Sequence, residues 1–435
     1  RFSPRGGEPR PTLPLGGDGG GLTVALFGEN SYNFLSGGVG SGCVHTPYVV
    51  DMVEGLKNAG IKSSETLTDI YRKYIDYARL KFQYERHPAK WFQTEAMGPQ
   101  KYPEIAMNAI AIDKEVRNTD AAIITIGRQA GEGIDRDLES EFNITAEERQ
   151  LIIDVCQAFH AAGKPVIVII NSGSVIETAS WNSYPDAIVC AWQPGEEGGN
   201  SVANILTGKV NPSGRLTMTW PLSATDHPST QNFPGMVDFY SYQVMRGGGR
   251  EMPNYDYTNH NEDIYVGYRY FDTFQKEVSY PFGFGLSYTT FDFTQPKVKV
   301  SGDNVAVTVT VKNTGNVSGK EVVQVYVTAP NLPSPFGEGS GVRLEKPAQE
   351  LKAFAKTREL QPGESQTLTM QIPVRMLASF DEQGSQWLTE TGNYTFKIGS
   401  SSRDIKATAT AKVGQYTEKV SNALAPKGKL KLLQQ

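Results

Sequence analysis

Glu132 stands between two glycines in the run Gly131-Glu-Gly-Ile-Asp-Arg136. A carboxyl group can give up a proton in one step of a reaction and take one back in the next. It does so when it is held at the reacting atoms with a pKa near the working pH. Flanking glycines admit turn geometries closed to other residues and let the backbone approach a ligand closely. Spacing alone favours a plainer reading: a solvated turn in which Asp135 and Arg136 form an ion pair and Glu132 does no chemistry, because carboxylates at exposed positions are commonplace.

Other runs invite chemistry with less success. Ser36-Gly-Gly-Val-Gly-Ser-Gly42 looks like a nucleotide loop, but Cys43 stands where the dinucleotide pattern needs its third glycine, and no Gly-Lys-Ser/Thr is present. What survives is a loop presenting Ser41 and backbone amides to a neighbouring group, with a plain structural turn equally open. In Trp192-Gln-Pro-Gly-Glu-Glu-Gly-Gly199, the acids Glu196 and Glu197 suit the positive end of a helix, so capping explains them without catalysis. His45, His87, His160, His227 and His260 fall singly, with no HExxH or paired-ligand spacing, and no Gly-x-Ser-x-Gly occurs. Neither a metal nor a cofactor is expected. Cys43, Cys156 and Cys190 are too widely spaced for a CxxC clip and odd in number, so buried free thiols are the expectation. Asn-x-Ser/Thr triplets begin at Asn143, Asn316 and Asn393, and matter as glycan acceptors only in a secretory eukaryotic setting.

A catalytic loop needs a scaffold, and the hydrophobic pattern supplies one. Residues 22–27, 121–126, 165–170 and 187–192 are nearly continuous apolar runs, the mark of strands covered on both faces. Amphipathic stretches at 47–59, 65–82, 102–117, 146–162 and 198–206 read as the covering helices. Thr145 with Glu148 makes a capping box for the fourth of them, and Gly163 with Pro165 ends it. The expected fold is an α/β sandwich, with an open, mostly parallel sheet flanked by helices, over 22–225. The Glu132 run directly follows one of its strands, at the carboxyl edge where such sheets bind ligands.

Residues 1–21 read as a lead-in linker, as if the chain began mid-protein, and 226–290 as a long ordered connector. From 291 to 414 the period changes to two, with runs at 305–312, 321–329, 365–372 and 393–398 separated by turn residues, which predicts a small β-sandwich. Residues 415–435 are lysine-rich and read as a surface tail.

With 435 residues, 39% hydrophobic, 20% charged, 44 glycines and a formal charge of −5, the chain reads as a globular protein of two or three domains. That charge gives no basic footprint for nucleic acid. No apolar run approaches the roughly 18–20 residues that span a bilayer.

Eight segments occur in the order found in glycoside hydrolase family three, β-glucosidase type, and together they make the chain resemble that family from about residue 13 to 408. They are Leu13-Pro-Leu15, Gly-Ser-Gly at 40–42, Gly-Glu-Gly-x-Asp-Arg at 131–136, Asn-Pro-Ser-Gly-Arg-Leu at 211–216, and Glu-Asp-Ile-Tyr-Val-Gly-Tyr-Arg-Tyr-Phe-Asp at 262–272. Tyr-Pro-Phe-Gly-Phe-Gly-Leu-Ser-Tyr at 280–288, Lys-Pro-Ala-Gln-Glu-Leu-Lys-Ala-Phe at 346–354 and Gly-x-Ser-Ser-Arg-Asp at 399–404 complete the series.

The resemblance implies an α/β sandwich followed by a fibronectin-type-III-like domain, without the TIM-type barrel that carries the family's aspartate nucleophile and most of its sugar contacts. It implies that Glu132 is the general acid/base, that Ser41 touches the glycone, and that Asp135 and Arg136 support the loop. The expected function is part of a retaining exo-β-glucosidase acting on terminal β-D-glucosyl residues of a glucoside or oligosaccharide. The barrel would come from the same polypeptide or from a separate chain; a homodimer is left open, and a periplasmic or secreted setting is favoured over a cytoplasmic one. Two alternatives stand beside it: a β-xylosidase or related exo-glycosidase on the same fold, and a non-catalytic scaffold that binds carbohydrate or protein.

Overall fold

The computed structural model describes residues 13–16, 21–44, 46–84, 101–129, 138–231, 260–330, 346–382 and 384–425. The chain forms two compact units, residues 1–210 and 211–435.

The first unit is the expected α/β sandwich. Its elements are β1 (Thr23–Phe27), α1 (Met52–Asn58), β2 (Lys62–Ser63), α2 (Glu65–Tyr84), α3 (Ala109–Asn118), β3 (Ala121–Arg128), α4 (Ala146–Ala161), β4 (Val166–Ser172), β5 (Ala187–Cys190) and α5 (Gly198–Leu206). The strands form one sheet in the order β2-β1-β3-β4-β5, every pair parallel. β3 and β4 are buried along their whole length, and β1 from its second residue on; β5, at the edge of the sheet, is half-buried. α4 starts on the predicted capping box, Thr145 accepting from the Glu148 amide and Glu148 from the Thr145 amide. At its end Gly163 takes φ +70, the left-handed geometry that glycine tolerates.

Two helices are shorter than the periodicity predicts. The stretch expected as helix over 102–117 becomes helical only at Ala109, capped by Asn108, whose side chain accepts from the Ala111 amide. Ahead of it Glu104 serves as an acceptor for distant groups, and that chain is not helical. The stretch expected over 47–59 begins at Met52, with Asp51 as its cap. α1 and α5 approach closely, since a Cβ on Gly199 would lie 2.0 Å from the Asp51 carbonyl oxygen, so only glycine fits there.

In the second unit a short pair, β6 (Trp220–Pro221) and β7 (Val278–Tyr280), accompanies α6 (Tyr268–Thr273). The fibronectin-like sandwich follows. It contains β8 (Phe291–Ser301), β9 (Asn304–Asn313), β10 (Val322–Thr328), β11 (Glu350–Lys356), β12 (Ser365–Pro373), β13 (Ser379–Asp381), β14 (Gln386–Thr389), β15 (Gly392–Gly399), β16 (Ile405–Val413) and β17 (Tyr416–Lys419). The sheets run β11-β10-β15-β16, β12-β9-β8 and β13-β14-β17, all antiparallel. Alternate residues Val305, Val307, Val309 and Val311 of β9 share one core with Val323 and Val325 of β10 and Phe396 and Ile398 of β15, as period two requires. The stretch expected as an unpatterned tail opens instead with β17, paired to β14.

The three cysteines are free, but only Cys156 is buried outright; Cys43 and Cys190 are half-buried. Burial pushes the Cys190 thiol up to about 12 and Cys156 higher still, so neither is a ready nucleophile at neutral pH. Among the described residues no helix is long and apolar enough to cross a membrane, and no group of His, Cys, Asp or Glu is placed to hold a metal ion.

Candidate active site

The carboxyl edge of the parallel sheet is assembled from the residues that leave β1, β3, β4 and β5. β1 is followed by Gly28 at φ +88, where a Cβ would lie 2.2 Å from the Thr125 carbonyl oxygen of β3. The chain then turns through a buried 3-10 turn, Glu29–Ser31. Ser31 Oγ, 2.8 Å from the Phe27 carbonyl and 2.7 Å from Thr125 Oγ1, ties that turn to β3.

At the end of β4, Asn171 is fully buried and joins that strand to two loops. Its Oδ1 accepts from the Leu35 amide at 2.7 Å, and its Nδ2 donates to the carbonyls of Leu35 at 3.0 Å and Trp192 at 2.7 Å. Trp192, just past β5, holds φ +55, an outlying conformation for a bulky residue. Gln193 Nε2 donates to Gln129 Oε1 at 3.0 Å, linking the ends of β5 and β3.

Arg128, the last residue of β3, is 2% exposed and packs its guanidinium against Glu148 at the start of α4. Nη1 donates to Glu148 Oε1 and Nη2 to Oε2, both at 2.7 Å, and the same nitrogens reach the carbonyls of Gly127 at 2.7 Å and Asn143 at 2.8 Å. Lys101 Nζ adds a third cationic donor to Glu148 Oε1 at 2.8 Å. Burial pushes the Glu148 carboxyl up, but the Arg128 fork and Lys101 outweigh it and hold the group down at about 2. It stays ionised throughout the neutral range.

A pair of carboxyls, Glu29 and Glu104, meets just past the end of β1. Glu29 is 1% exposed; burial pushes it up to about 8, with Glu104 adding to the rise and the Asn33 amide, 2.5 Å from Oε1, opposing it. Glu104, raised by burial to about 7, accepts from the Glu29 amide at 2.8 Å and from the Tyr71 hydroxyl at 3.0 Å, while Tyr71 accepts from the Gly28 amide at 3.0 Å. The edge therefore offers one fixed anion and a pair of carboxyls that are protonated around neutrality.

Of the residues singled out in the sequence, Glu132, Asp135 and Arg136 lie outside the described residues. Ser41 falls in a single 3-10 turn, Gly40–Gly42, entered through Gly40 at φ +75. Glu197 stands at the N-cap of α5 but caps no backbone amide; it accepts instead from the Tyr48 hydroxyl at 2.7 Å and from the Asn200 side-chain Nδ2 at 2.5 Å. Sequence reasoning missed Arg128, Asn171, Glu29 and Glu104. Arg128 and Asn171 carried one readable signal, a polar residue closing an otherwise apolar strand run.

The family model for the glycosyl hydrolase family 3 C-terminal domain matches residues 9–288, and that for a fibronectin type III-like domain matches residues 321–402. Beta-glucosidase A of Butyrivibrio fibrisolvens is 35% identical over 93% of this chain and 50% of its own length. An exo-alpha-(1->6)-L-arabinopyranosidase of Bifidobacterium breve is 37% identical over 68% of this chain and 35% of its own. Among solved structures, beta-glucosidase 3B from Thermotoga neapolitana in complex with alpha-D-glucose is 39% identical, with a TM-score of 0.81, over 94% of this chain and 52% of that one. The chain thus spans about half the length, or less, of these relatives.

Proposed function

The chain belongs to glycosyl hydrolase family 3, and from that premise we propose that Glu132 is the general acid/base of a retaining exo-β-glucosidase, completed by a nucleophile on a barrel outside this chain. The observation that carries the reading is positional. β3, inside a parallel sheet, ends at Arg128, shortly before the run at 131–136 in sequence, and ligands of open α/β sheets gather at the carboxyl ends of strands. The β-glucosidase relatives at 35% and 39% identity support a terminal β-glucosyl residue as the substrate. The arabinopyranosidase relative at 37% favours a second reading, the same chemistry on a pentose.

Retaining hydrolysis uses two carboxyl groups about 5–5.5 Å apart. The barrel aspartate attacks the anomeric carbon while Glu132, protonated, gives its proton to the departing oxygen. Glu132 then takes a proton from the water that releases the sugar. Ser41 contacts the glycone, and Asp135 with Arg136 tethers the loop. The barrel is supplied by the same polypeptide or by a partner chain, and a periplasmic or secreted setting fits an enzyme that trims external saccharides.

The test is Glu132→Ala in the barrel-containing protein. Turnover of a glucoside with a poor leaving group should fall by about 10²–10⁴-fold, while one with a good leaving group suffers far less, since it needs little protonation. Equal losses on the two would contradict the acid role.

A further inference from the structure

We propose that a cavity in the second unit, where the start of α6 meets the start of β11, is a binding site for a neutral saccharide. It measures about 440 Å³, within the range of pockets that take small molecules. His227, Tyr268, Arg269, Phe282 and Glu350 line it, and all five belong to that one unit.

One wall is apolar and fixed. The half-buried rings of Tyr268 and Phe282 pack with centroids 4.6 Å apart, and the Leu351 amide donates to the Tyr268 hydroxyl oxygen at 2.7 Å, which ties α6 to β11. The His227 ring is held too, perpendicular to Phe271 with centroids 5.0 Å apart. A wall built this way keeps its shape whether or not a ligand is bound, so little order has to be created on binding.

The polar groups decide the class of ligand. Arg269 Nη1 lies 3.6 Å from Glu350 Oε1, beyond hydrogen-bond distance, so this ion pair uses none of the guanidinium's donors. Glu350 Oε2 pairs with Lys352 Nζ at 2.9 Å, which leaves Oε1 as an acceptor. Burial holds the His227 imidazole below its ordinary pKa, with Asp226 opposing, so at neutral pH the ring brings one donor and one acceptor and no charge. A carboxylate in the wall disfavours an anion, and Arg269 disfavours a cation. What fits is a neutral molecule with several groups that both donate and accept, and an apolar face for the aromatic wall. A pyranose has both, in its hydroxyls and in the C–H face of its ring.

The experiment uses the barrel-containing protein with the imino sugar deoxynojirimycin at saturation, which occupies a glycone pocket formed with the barrel. Methyl thiocellobioside, whose S-linkage resists hydrolysis, is titrated in by calorimetry, and melting temperature is followed beside it. Wild type should bind one equivalent and melt higher as the disaccharide is added. Arg269→Met, in which Glu350 keeps Lys352, should weaken binding by about 10–100-fold, and His227→Phe, which keeps a ring against Phe271, by about 3–10-fold. Arg358→Met, outside the cavity lining, should bind as wild type does. If Arg269→Met fails to fold, His227→Phe decides.

No binding under saturating imino sugar would overturn the proposal, as would binding that neither cavity variant weakens. Sodium sulfate bound in an Arg269-dependent manner, with no thiocellobioside bound, would make the cavity an anion site and overturn it as well. The readout is binding, so the proposal stands or falls independently of the acid/base reading of Glu132, which the leaving-group comparison tests.

Discussion

A carboxyl whose burial outweighs its polar partners makes the surrounding fold sensitive to pH. Glu29 keeps its proton in the folded chain up to about 8, whereas the unfolded chain releases it near 4.5, and Glu104 behaves likewise up to about 7. The folded state therefore binds more protons between those values, and stability falls as pH rises from about 4.5 to 8. Glu148 has the opposite sign: held at about 2 in the fold, it contributes stability that is lost as pH drops from about 4.5 towards 2. Glu29→Gln, which keeps an acceptor for Asn33, should flatten the neutral-range decline, by on the order of 2 kcal/mol between pH 5 and 8 in urea midpoints. An unchanged slope would mean that another group titrates there. None of this was legible in the sequence, because Glu29 and Glu104 lie 75 positions apart and meet where the Glu29 backbone amide donates to Glu104. The Thr145–Glu148 box could be read because its two halves sit within one turn.

The elements divide along the same line, local signals against tertiary ones. Long apolar runs gave β1, β3 and β4 their places, since three strands buried on both faces leave little room for another period. β2 escaped notice because it is two residues long and exists only as an edge partner of β1. β8 was hidden by Pro296, which argues against a strand; the chain accommodates it with Gln295 at φ +55 and a shift of register between Thr294 and Lys297. β16 alternates alanine with lysine or threonine, and β11 packs Ala353 and Ala355 against the core while Phe354 is exposed, too weak an apolar face to announce a strand before β15 and β10 pair with them. The chain after β1 and the chain after β5 share one side chain: Asn171→Ala would remove its hydrogen bonds to the Leu35 amide and carbonyl and to the Trp192 carbonyl. The expected cost is about 2–3 kcal/mol, read from denaturant midpoints, with a matching loss of kcat in the barrel-containing protein. A variant of unchanged stability would show that these loops are held by other contacts.

For the molecule as a whole, two architectures in one chain were readable from the change of period near residue 291, and the family from motifs scattered over both units. The chain spans about half the length of its beta-glucosidase relatives, and under the proposed function the rest of the cleft lies on a barrel outside it. The central claim is that a proton resides on Glu132 when the sugar leaves. Its most direct test is the pH dependence of kcat/KM for the barrel-containing protein and its Glu132→Gln variant on a substrate that needs leaving-group protonation. Wild type should give a bell, and the variant should lose the alkaline limb, because the acid whose deprotonation ends activity is gone. An alkaline limb that persists at the same pH in Glu132→Gln would contradict it and assign the proton to another residue.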